Sequence, residues 1–144
     1  MADVILQEIL SYESVKFIDN EHVAAYYYAS KNLMHIIWKQ RTVGEAYRKV
    51  FIDCIEFAQN HLSTSFLSDI RNQGIVGPED RHWFESVALP GAIDCGLQKS
   101  AVIFDGNVFK MYYINMILQH GVRKGIPMKF FRDLNSAEQW LLAL

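Results

Sequence analysis

The chain has no surplus of basic residues, few cysteines and no long apolar run, and each shortage removes a class of function. Lys and Arg number 14 against 16 Asp and Glu, a formal net charge of −2, so there is no cationic excess to neutralise a phosphate backbone, and nucleic acid is not an expected partner. No stretch approaches the roughly 20 consecutive apolar residues of a transmembrane helix. Residues Met1 to Leu10 include Asp3 and Glu8 and lack the basic start of a secretory signal, so the expected location is the cytoplasm. Only Cys54 and Cys95 are available for a disulfide or a metal, and both stand in helical contexts, which reads as two reduced core thiols. Missing too are the GxxxxGK[ST] and GxGxxG phosphate loops, the HExxH zinc helix and the GxSxG nucleophile elbow. His22, His35, His61, His82 and His120 are scattered with no Cys or His at ligand spacing. The expectation is no cofactor, no metal and no enzymatic acid, base and nucleophile set.

What is present is core-forming material: 51% of the 144 residues are hydrophobic and 13% aromatic, enough for one globular domain. Val4, Ile5, Ile9 and Leu10 suggest a short lead-in helix, and residues 1–18 read as an extension before the main domain. Ser14 to Ile18, His22 to Ala29 and Leu33 to Trp38 are strand-like, the last two closing as a hairpin over Ser30, Lys31 and Asn32. Thr42 followed by Glu45 reads as a capping box for a helix to about His61, with Ala46, Val50, Phe51, Cys54, Phe57 and Ala58 on its core face. A strand from Thr64 to Ile70 follows, then a polar loop in which Gly74 and Gly77 supply unusual backbone angles. A helix from Pro78 to Cys95 should be kinked or divided at Pro90 and closed by Gly96. Ser100 to Phe104 reads as a strand buried on both faces, and Asp105, Gly106 and Asn107 as a turn and cap. The helix Val108 to Gln119 is apolar around more of its circumference than one core face needs, which fits a second buried face, such as a homodimer contact through Val108 to Leu118. Met128 to Phe131 and Ser136 to Leu144 complete the order as strand and helix. Strands alternating with helices imply an α/β fold with a mostly parallel sheet, the opening hairpin being its antiparallel part.

The stretch Ser65 to Trp83, SFLSDIRNQGIVGPEDRHW, is a strand, a polar loop and a helix start with Pro78 first and Glu79 and Asp80 in the first turn. In open α/β sheets such a junction is where ligands and partners bind. Asp69, Arg71, Asn72 and Gln73 offer a carboxylate, a guanidinium and two amides there. Asp69 and Arg71 either brace the loop, capping backbone or pairing with Glu79 and Asp80, or form an anion site built on Arg71. His82 reads as a solvent-facing histidine beside carboxylates, and Trp83, Phe84 and Trp140 as helix anchors.

The phrases IIWKQ, EAYRKVF, FLSDIRNQGIVGPEDRHWF, LP, GL, AVIFDGNVF, KFF and AEQWL, in this order, resemble the SpoIIAA-like, or STAS and SEC14-like, single-domain proteins of bacteria, from about His22 to the C-terminus. The resemblance implies a SpoIIAA-like sheet with flanking helices and a regulatory, non-enzymatic role in signalling through a protein partner. In the anti-sigma-factor antagonists of that superfamily a serine at the start of the helix after the central strand is phosphorylated. Here no Ser or Thr lies between Ser68 and Ser86, and Pro78, Glu79 or Asp80 stands at that place, so no phosphoswitch is expected. The favoured reading is therefore a protein-interaction module using Asp69, Arg71, Asn72, Gln73, Glu79, Asp80, His82 and Trp83. The alternative, implied by the SEC14-like resemblance, is a module that holds a small apolar ligand or lipid.

Overall fold

The structure, a computed structural model, describes residues 13–143, less the side chains of Tyr113, Ile114, Leu118, His120, Val122 and Arg123. The expected lead-in helix lies outside those residues. Strands β1 (Val15–Asp19), β2 (Val23–Tyr28) and β3 (Leu33–Trp38) form an antiparallel meander, and β4 (Ser65–Asp69), β5 (Lys99–Ile103) and β6 (Met128–Phe131) extend it in parallel. The sheet order is sequential from β1 to β6. Asn32, in the left-handed region at φ 49°, ends a 3-10 turn over Ala29–Lys31 and lets β2 double back into β3.

A sheet whose parallel strands advance always in one direction, joined by right-handed crossovers, must carry all its crossover helices on one face. These are α1 (Gly44–Ala58), the composite of α2 (Pro78–Trp83), a π turn (Phe84–Ala88) and α3 (Leu89–Asp94), and α4 (Val108–Arg123). Tyr47, Val50, Phe51 and Cys54 of α1, Ala88 and Ile117 pack with Val23, Ala25, Met34, Ile36 and Trp38 in one core. The opposite sheet face is covered by α5 (Leu134–Leu142), whose Ala137 and Leu141 meet Tyr28, Leu33, Leu67, Ala101 and Ile103. Strands β2 to β6 send alternate residues to the two cores, as a period of two requires, whereas β1 has a register irregularity between Lys16 and Ile18 and both Phe17 and Ile18 pack on the first core.

Three local expectations are corrected. The capping box does not form: Gly44, at φ +62°, turns the chain between Thr42 and the helix, and the Thr42 hydroxyl donates to the Gln40 carbonyl instead. Pro90 does not break its helix, because the π turn before it widens the coil, Leu89 N–H donating to Phe84 O, and absorbs the missing donor. Gly77 has an ordinary φ of −71°, whereas Gly74, at φ +79°, does sit where L residues are strained. Boundaries also move: α1 ends at Ala58, α4 runs on to Arg123, and α5 starts at Leu134 because Asp133 accepts the Ser136 N–H as its cap.

Candidate functional site

The polar stretch after β4 is delivered to the carboxyl end of the sheet, but the sheet itself divides its residues. Asp69 is in register with Ile37 and Ile103 and, sharing the side of Leu67, lies on the α5 face. Arg71 reaches back and clasps it in a bidentate pair, Nε to Oδ1 at 3.0 Å and Nη2 to Oδ2 at 2.6 Å, while the Arg71 backbone N–H donates to Oδ1 at 3.1 Å. That clasp holds the Arg71 guanidinium above its ordinary pKa, with Asp133 at the α5 cap adding to the effect. Both carboxylate oxygens are thereby engaged within the loop, while the Arg71 side chain stays about half exposed.

Gln73 points to the other side. Its backbone N–H donates to Ile70 O, tightening the loop, and its side chain, 3% exposed, lines the space beneath α1 and the π turn. Asp80 is buried against α1, where Oδ2 accepts the Gly44 N–H at 2.9 Å and Oδ1 meets Arg48 Nε at 3.4 Å. The carboxylate thus performs, from 36 residues away, the capping that Thr42 does not. Arg48 also lies over the half-buried Trp83 ring, 5.6 Å from its centroid. Asn72, Glu79 and His82 are exposed. The eight candidate residues therefore form no single cluster.

The buried ionisable groups to which the sequence reading gave no role include Lys110 and His35. Lys110, on α4, is buried and its Nζ donates to Ile70 O at 3.1 Å, Arg71 O at 3.2 Å and Asp105 Oδ2 at 3.1 Å. Together with the Asn107 N–H, it holds the Asp105 carboxyl below its ordinary pKa. His35, on β3 facing α5, is 7% exposed, and its Nε2 has no hydrogen-bond partner. Burial lowers its pKa from 6.5 to about 4, the Arg71 charge assisting and Asp69 opposing. The available signal was the same for both: a lone ionisable residue inside an apolar run, LMHIIW and VFKMYY.

Between the sheet and the crossover helices lies a cavity of about 100 Å3. Its wall includes Met34, Trp38, Phe51, Phe66, Phe84, Leu89, Val102 and Ile117, with Tyr47, Ser63, Ser68, Ser100 and Gln73 as polar groups, and none of the described lining residues is charged. Cys54 also lines it; burial pushes that thiol well above its ordinary range, so it is a protonated wall group and not a nucleophile. Both cysteines are free thiols. Among the described residues no group of three or more His, Cys, Asp or Glu is placed to hold a metal ion, and no helix is long and apolar enough to cross a membrane.

A search of solved structures finds an uncharacterised protein of the DUF3478 family, with a SpoIIAA-like fold, from Shewanella loihica PV-4. The match has a TM-score of 0.51 and 15% sequence identity, and covers 87% of this chain and 98% of that one. No family model and no curated protein matches the sequence. The mostly parallel sheet, antiparallel start and flanking helices described above are that SpoIIAA-like fold, and at this identity the likeness speaks for the fold alone.

Proposed function

We propose that this SpoIIAA-like domain is a non-enzymatic binding module that carries a small apolar ligand in the cavity between the sheet and α1 to α4. The cavity is the observation that supports the reading. A water needs about 10–15 Å3 measured in this way, so about 100 Å3 has room for roughly seven to ten waters. Native cores rarely keep unfilled space that large. A ligand that binds the folded state alone stabilises it by mass action. The SEC14-like resemblance points the same way. Catalysis by Asp69 and Arg71 loses its support, since the two neutralise each other away from the cavity.

The test is native mass spectrometry of the purified protein, with thermal unfolding in saturating n-octane. The expected results are a retained small molecule or a raised Tm, and loss of both in Ala88→Phe, which fills the cavity from the π turn. The absence of both a retained molecule and an octane-induced rise in Tm would end this reading.

A second reading, docking of a protein partner or a second copy, draws on a different observation. Lys110 ties the start of α4 to the Ile70 and Arg71 carbonyls, and Val108 (73%), Phe109 (69%) and Tyr112 (69%) stand exposed on that helix, as Arg71 and Asn72 do on the loop. An apolar patch with a polar rim suits a protein interface. Light scattering and pull-down with Phe109→Ser/Tyr112→Ser should show loss of self-association or partner recovery; unchanged behaviour removes this surface.

A further inference from the structure

Resting on the cavity reading, we propose that the ligand is an uncharged, medium-length amphiphile whose head group hydrogen-bonds the Gln73 side-chain amide while its tail lies along the sheet. Three observations converge. First, no described residue lining the cavity carries a charge, and an ion buried without a partner is far costlier than a neutral polar group. A carboxylate or ammonium head would have nothing to answer it. Second, Gln73 is 3% exposed and lines the cavity, so its side-chain amide can meet a bound head group there. A buried amide needs both donors and an acceptor satisfied, which a head able to donate and accept, an amide or an alcohol, supplies. Third, the cavity lining extends along the strands. It runs from Trp38, Ile70 and Gln73 at the carboxyl ends of the strands to Leu97 and Met128 at their starts. Phe66 and Ile70 bound that span, roughly 13 Å at about 3.3 Å per residue. With a volume of about 100 Å3, this fits a chain on the order of ten heavy atoms.

Titration calorimetry at pH 8 with n-octane, octanamide and octanoate tests the assignment, on the parent and on Gln73→Leu. Octanamide should bind at least about tenfold more tightly than octanoate, whose ionised head is excluded. Gln73→Leu should weaken octanamide about fivefold, the worth of one net hydrogen bond. The comparison of octanamide with octanoate needs no variant, so a misfolded Gln73→Leu leaves the test intact. Equal binding of octanoate, or octanamide binding untouched by Gln73→Leu, overturns the Gln73 assignment while the cavity reading stands. If n-octane itself does not bind, the cavity reading falls and this inference with it.

Discussion

Lowering the pH through the His35 transition should destabilise the protein in a way that one substitution abolishes. The imidazole lies on β3 under α5, 7% exposed, with the Tyr26 ring centroid 6.4 Å from its own and the Asp69 and Arg71 charges acting on it from β4 and the loop beyond. Burial favours the neutral form, so the folded pKa is about 4 against 6.5 for the free side chain. Between those values the unfolded chain binds a proton that the folded chain refuses. Stability from this residue is therefore complete above about pH 6.5, declines as the pH falls, and is exhausted near pH 4. At about 1.36 kcal/mol per pH unit the loss amounts to roughly 3 kcal/mol. Carboxylates titrate in the same range, so the parent must be compared with His35→Leu. Urea unfolding from pH 7.5 to 4.5 should show the parent losing about 2–3 kcal/mol more than the variant, and at pH 7.5 the two should lie within about 1 kcal/mol. Superimposable pH profiles would refute the reasoning, as would an NMR titration of the folded His35 imidazole with a midpoint near 6.5.

Asp80→Ala removes the carboxylate that caps α1 and leaves the Gly44 N–H unanswered; we expect about 1–2 kcal/mol of lost stability in urea, with Asp80→Asn recovering part of it. A loss below about 0.5 kcal/mol would return Asp80 to the surface as a contact residue. Arg71→Ala strips the clasp from a largely buried Asp69 while the backbone N–H still holds Oδ1; discounting for the half-exposed guanidinium, urea unfolding should show a cost of about 1–2 kcal/mol. An Arg71→Ala protein of parental stability that fails to recover a partner would instead favour the docking reading.

How much of this was legible beforehand depends on whether a feature is local. Period-two and period-three-to-four spacing marks the six strands and the crossover helices, and Gly74 and Asn107 announced a left-handed turn and a cap. Even local signals failed where a neighbour competed: Thr42 and Glu45 have capping-box spacing, yet Gly44 turns the chain out of reach, and Pro90 is carried by a π turn that composition does not signal.

The sequence by itself determined the alternation of strands and helices and, through it, an α/β fold with a mostly parallel sheet, because hydrophobic periodicity is a local signal; the side on which the crossover helices lie follows from the strand order, which the structure supplies. Only the tertiary structure decided what the polar residues do. Asp69 and Gln73, four positions apart, go to opposite sides of the sheet; Asp80 caps a helix 36 residues earlier in the chain, and Lys110 binds carbonyls 40 positions away. A hydrogen-bond partner at such separations leaves no trace in spacing. A cavity leaves none either, being the volume that side chains from five or more elements fail to fill.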